Sequence, residues 1–139
     1  MDHKEKYQLE FEIRSSPKIL YTYLSTASGL EEWFADKVNI ETGGLFSFSW
    51  DGEARKAKIV SKKDNQLVRF QWLDEKDDSF FEFEIVKDDI TSDVALLVTD
   101  FATQADKIQN EQLWHSQIIE LKQIIGSWFQ IQFPLATGI

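Results

Sequence analysis

The sequence contains no cysteine, and that single absence removes disulfides, thiolate nucleophiles and cysteine-based zinc sites together. Positive charge is also scarce. Fifteen Lys and Arg stand against 24 Asp and Glu, a net charge of −9, so nucleic acid and anionic membrane are not expected partners. No apolar run approaches the ~20 residues that span a bilayer. The amino-terminal MDHKEKYQLEFE is charged and lacks the apolar core of a signal peptide. The expected location is cytoplasmic. Histidine occurs only as His3 and His115. Glu111 lies one helical turn before His115, a spacing that suits a surface pair better than a general base with its orienter. No glycine-rich phosphate loop, nucleophile elbow or His-Glu-x-x-His zinc spacing is present. The acidic stretch Asp74 to Asp78 lacks the glycine and spacing of a calcium loop and reads as a hairpin connection. No catalytic residue, cofactor or metal is expected.

What the chain has in quantity is aromatic side chains: 11 Phe, five Trp and three Tyr in 139 residues. Most of them alternate with polar residues, as half-buried strands require. Tyr7, Leu9, Phe11 and Ile13 share one face of a first strand, opposite Gln8, Glu10, Glu12 and Arg14. Ser16-Pro17 opens a short helix, with serine as cap and proline where its missing N–H costs nothing. Ser28 to Glu31 resembles a capping box for a second short helix carrying Leu30, Trp33 and Phe34. After Gly43-Gly44 come Phe46, Phe48 and Trp50, then the hairpin signal Asp51-Gly52. Ala54 to Lys62 follows, with Ala57 and Ile59 inward and a basic outer face. Asp64-Asn65 turns the chain into Val68, Phe70 and Trp72. Phe81, Phe83 and Ile85 form the fifth strand. Asp93 to Phe101, apolar on both faces, reads as a covered or central sixth.

The longest pattern lies near the end, from Thr103 to Trp128. Trp114, Ile118, Leu121, Ile125 and Trp128 recur at helical steps, Ile124 widens the stripe and Gln117 interrupts it. Thr103 is the expected cap. Beyond it Phe129, Ile131 and Phe133 alternate as a short strand would. Such an apolar tail should pair with a sheet edge, close a cavity mouth or dock on a second copy, making a homodimer. With no repeat or linker, residues 1–139 read as one domain, frayed over 1–5 and extended by an apolar segment over 129–139. The expected class is α+β: a curved antiparallel sheet of about six strands wrapped around a long C-terminal helix, with two short helices between strands 1 and 2.

Two segments carry a resemblance to a known family. Ser16-Pro17-Lys18-Ile19-Leu20, followed by Gly29-Leu30-Glu31-Glu32-Trp33-Phe34-Ala35-Asp36, looks like a capped first helix and a Trp-Phe-containing second one. Trp114-x-x-x-Ile118-x-x-Leu121-Lys122 looks like the closing helix. Together they resemble the helix-grip fold of the START-like superfamily, nearest to the family named for the activator of the heat-shock chaperone ATPase. The resemblance implies a cavity between sheet and helix. It implies binding of lipids or other apolar molecules in many members and cyclase-type chemistry in some. The chain departs from the pattern in its tail, and in lacking the polar or His residue that often ends the last strand.

The expected function is therefore non-catalytic binding of a hydrophobic or amphipathic small molecule. Its cavity would be lined by Trp33, Phe46, Phe48, Trp50, Phe70, Trp72, Phe81, Phe83, Trp114, Ile118 and Leu121. Tyr21, Tyr23, Arg55 and Asp100 are the polar groups that could reach it. The opposing reading is that the aromatics fill the space themselves, since interiors pack densely. A protein-interaction or co-chaperone-like role is the alternative, and a cyclase or hydrolase a more distant one.

Overall fold

The computed structural model describes residues 3–132, and side chains within 3–126. The element order is β1 (Lys4–Glu12), α1 (Pro17–Ser25), α2 (Ala27–Trp33), β2 (Lys37–Glu41), β3 (Leu45–Trp50), β4 (Glu53–Lys63), β5 (Leu67–Trp72), β6 (Phe80–Lys87), β7 (Val94–Thr103) and α3 (Lys107–Gln132). The strands form one antiparallel sheet in the order β1-β7-β6-β5-β4-β3-β2. Neighbours in sequence are neighbours in space except at β1, which returns to pair with β7, placing Tyr7 opposite Asp100 and Phe11 opposite Leu96. This is a two-layer α+β helix grip, with α3 lying against one sheet face.

Local chemistry explains most of the boundaries. Ser16 accepts the Ile19 N–H at 3.2 Å, with Pro17 in the first turn of α1. The Asp51-Gly52 turn has positive φ at both residues, as a two-residue hairpin with the right twist requires. The inward face of each strand buries its alternate residues: Phe46 and Phe48, Val68 and Phe70, Phe81, Phe83 and Ile85, and Val94, Leu96 and Val98. Against them α3 buries Trp114, Ile118, Leu121 and Ile125, the stripe expected from its spacing.

Five details differ from the sequence reading. Thr103, the expected cap of the long helix, is the last residue of β7; its hydroxyl accepts the Asp106 N–H at 3.2 Å, and the helix begins only at Lys107. Among the described residues the sheet has seven strands, because Lys37–Glu41 forms an edge strand on which Val38 is buried and Ile40 exposed. The second helix is capped by Thr26, whose hydroxyl accepts the Gly29 N–H at 3.0 Å, and not by Ser28. Gly29 is required there: a Cβ would come 2.2 Å from the Thr22 carbonyl oxygen and 2.7 Å from Tyr23 Cα. At the N-terminus Lys4 and Glu5, expected to fray, already pair with Thr103 and Ala102. Finally, α3 continues through Gln132, so the alternation beginning at Phe129 does not make a strand there. Each added residue closes another backbone hydrogen bond, which outweighs a three-residue alternating pattern. Phe133 onward, and the side chains of Trp128, Phe129 and Ile131, lie outside the described residues.

Candidate ligand-binding cleft

The sheet register stacks aromatics into layers. Phe48 faces Arg55 across β3 and β4, Ala57 faces Trp72, Phe70 faces Phe81 and Phe83 faces Val98. The rings of Phe70 and Phe81 stack at 4.9 Å. Phe34, the residue ending α2, lies between sheet and helix: its ring stacks on Phe81 at 5.2 Å and on Trp114 at 5.8 Å. On one side of Phe34 the grip is full. Trp33, Phe46, Phe48, Phe70, Phe83, Ile118 and Leu121 are all buried in that core. On the other side it is open.

The opening is a cleft of about 540 Å³. It lies where β1, β4 and β6 begin and β3, β5 and β7 end, roofed by the first turns of α3. Trp50, Trp72, Phe81 and Trp114 form its aromatic walls, with Phe34 beside them and Leu113 on the helix side. Of the eleven residues expected to line a cavity, the structure thus brings four to the cleft and puts seven in the packing behind it.

Asp100 is the central polar group. It occupies the inward series Val94, Leu96, Val98, Asp100, Ala102, so its carboxylate turns toward the cleft wall and not toward bulk water. The last strand therefore does present a polar residue near its end, contrary to the departure read from the sequence. Trp114 Nε1 donates to Oδ2 at 2.8 Å, the Tyr7 hydroxyl donates to the same oxygen at 3.4 Å, and the Phe101 N–H donates to Oδ1 at 2.8 Å. Burial pushes the Asp100 carboxyl above its ordinary value, and these hydrogen bonds with the nearby Lys4 charge only partly oppose it. Burial, and then the Asp100 charge, push the Tyr7 hydroxyl up as well.

Two cations stand at the rim, and both are engaged. The Arg55 guanidinium lies 3.9 Å over the Trp72 ring and forks onto Asp74, with Nε–Oδ2 2.7 Å and Nη2–Oδ1 2.9 Å. Its Nη2 also donates to Glu75 at 3.1 Å, and Lys4 Nζ meets the other Glu75 oxygen at 2.9 Å. The hydrogen bond from Arg55 holds the Asp74 carboxyl below its ordinary value. The acidic stretch read as a plain connection is thus a clamp on the cleft's basic residues. Ser79, also in the wall, has a buried Oγ with no hydrogen-bond partner.

Gln117, the break in the apolar stripe of α3, has a structural use. Its Nε2 donates to the Phe34 carbonyl at 3.0 Å, and Trp50 Nε1 donates to that same oxygen at 2.8 Å. Helix, sheet and the end of α2 are pinned at one atom. Of the other polar candidates, Tyr21 donates to the Leu67 carbonyl at 2.9 Å and Tyr23 packs on the core; neither lines the cleft. His115 makes an edge contact with Phe11 at 5.0 Å, while Glu111 approaches Lys107 at 4.0 Å. The sequence reading missed Phe34, Lys4, Glu75, Ser79 and Gln117. Arg55 and Asp100, named from the sequence as polar groups that could reach a cavity, both line the cleft, and Arg55 shares the inward parity of Ala57 and Ile59.

The chain belongs to the START-like superfamily: the START-like superfamily domain model matches residues 1–127. A solution structure of the Bacteroides fragilis protein BfR322 is 35% identical, with 90% of this chain and 93% of that one covered and a TM-score of 0.63. The Aha1 dimer from Colwellia psychrerythraea shares the fold at 17% identity and TM-score 0.70, covering 85% and 93% of the two chains. CalU16 from Micromonospora echinospora does so at 13% identity and TM-score 0.68, covering 86% and 75%. No curated protein matches the chain. Among the described residues, no helix is long and apolar enough to cross a membrane.

Proposed function

We propose that this protein binds an amphipathic small molecule, without transforming it, in the cleft between the sheet and the start of α3. The observation that carries the reading is the open volume of about 540 Å³ walled by Trp50, Trp72, Phe81 and Trp114 beside an otherwise filled aromatic core. A space of that size with apolar walls and a few fixed polar groups is the usual form of a small-molecule site. Membership of the START-like superfamily supports it further. In the filled half the Tyr21 hydroxyl and the Trp33 indole N–H are both taken up by backbone carbonyls, of Leu67 and Tyr23, so a ligand's polar end belongs at the Asp100 side and its apolar body against the indole rings. Native mass spectrometry of protein purified from its own host tests this. A bound mass released on denaturation is expected, and it should compete with added amphiphile. Bare protein that also gives no shift of the Trp114 indole NMR signal with any amphiphile sinks the reading.

A second reading, self-association, is supported by α3. Ile108 and Ile119 are 72% and 56% exposed and lie on one strip of the helix. The Colwellia psychrerythraea relative is described as a dimer. Light scattering decides it: a dimer mass that falls to monomer in an Ile108→Glu, Ile119→Glu variant supports it, and a monomer at all concentrations removes it.

A further inference from the structure

We infer that the ligand is an amphipathic cation, an amine with an apolar body, whose positive group pairs with Asp100. The inference rests on the binding reading above and deepens it. Asp100 turns into the cleft, and among the described residues no Lys, Arg or His lies within ion-pair distance of it. Its protein partners are the neutral Trp114 indole, the Tyr7 hydroxyl and one backbone N–H. The charged groups around it come from every neighbouring element. Lys4 on β1 is held by Glu75, Arg55 on β4 is held by Asp74 and Glu75, and Asp106 before α3 adds a further negative charge at the mouth. The cleft's own cations are therefore paired with surface carboxylates; Lys4 and Arg55 are near enough to feel the Asp100 charge, but among the described residues none pairs with it.

The walls agree with that charge. Indole and phenyl faces attract cations more strongly when water is excluded. The protein already uses one such face in this way, the Trp72 ring under the Arg55 guanidinium. The Trp50 and Trp114 rings border the same space. Burial also drives the Asp100 carboxyl above its ordinary range, and an arriving cation relieves the cost of keeping it ionised. An anionic amphiphile meets the opposite situation: Asp100 repels it, and Lys4 and Arg55 must first leave their carboxylates to receive it.

The test is calorimetric titration with decylamine, decanol and decanoate, below their micelle concentrations at neutral pH. Decylamine should bind at least tenfold tighter than decanol, with decanoate weakest. In Asp100→Asn the amine-to-alcohol ratio should fall toward one. In Asp89→Asn, which removes the same charge from an exposed turn, the ratio should persist. The wild-type Trp114 Nε1 proton, which reports the Asp100 contact directly, should shift with the amine and little with the alcohol; this holds even if Asp100→Asn folds poorly. Equal binding of amine and alcohol, or a ratio lost equally in both variants, overturns the cation while leaving the binding reading intact. No binding of any of the three overturns both.

Discussion

Trp114 Nε1 donates a 2.8 Å hydrogen bond to Asp100 Oδ2, tying the one inward carboxylate of β7 to the first buried residue of α3. Its energetic sign depends on pH. Burial raises the folded-state pKa of Asp100 above the unfolded value, so the folded protein holds this proton longer. The group's contribution is fully present below the unfolded pKa of about 4 and is lost as pH rises through the folded pKa. Chemical denaturation of wild type and Asp100→Asn across pH 3–8 should therefore give a stability difference that shifts in favour of the variant as pH rises. A difference independent of pH contradicts the linkage.

The Arg55 clamp works in the opposite direction. Hydrogen bonding and charge from Arg55 depress the Asp74 carboxyl, so its stabilisation is present above the unfolded pKa and lost as pH falls through the folded one. NMR titration of Arg55→Gln should return the Asp74 carboxyl toward its ordinary value. The pair is partly exposed, so the stability change at neutral pH should be only about 0–1 kcal/mol.

Phe34→Ala should be far more costly. The ring touches Phe81 and Trp114 face to face and meets Phe48 and Trp50 edge-on. Removing a buried phenyl from such a site costs about 3–5 kcal/mol. Urea denaturation reads the loss, and xenon uptake seen by NMR should report the new void joined to the cleft.

Gly29→Ala tests the elbow between α1 and α2. The added methyl would meet backbone, not a flexible side chain, so the helices must separate. The expected loss is about 1–3 kcal/mol, measured by thermal or urea unfolding. An unchanged midpoint would show that the elbow relaxes freely.

The alternating strands, the Ser16-Pro17 start and the α3 stripe were all legible because each is a local pattern repeated several times. The parts that were not legible depend on single contacts. By composition Ser28 is the better cap; the structure uses Thr26, whose hydroxyl accepts the Gly29 N–H while Gly29 packs against the Thr22 carbonyl. Strand β2 offers only Val38 and Ile40 as apolar positions, too few to separate from a loop. Inward parity marked Trp50, Trp72, Phe81 and Asp100, but it marked Phe48, Phe70 and Phe83 equally. What separates wall from filling is the position of Phe34, a residue at a helix end where no periodicity applies. Gln117 looked like a flaw in a stripe because its partner, the Phe34 carbonyl, is 83 residues away.

The pairing of β1 with β7 sets the order in which the molecule can be completed. Tyr7 and Asp100 are 93 residues apart, so during synthesis the first strand emerges long before its partner exists. Until then Tyr7, Phe11 and Ile13 have no sheet to lie on, and closing so large a loop precedes any reward from the contacts it makes. The cleft draws on both ends of this closure, Lys4 from the first strand and Trp114 from the last helix. The cleft cannot be assembled before the first turns of α3 have emerged, so a nascent chain that stops short of Trp114 lacks one of its walls.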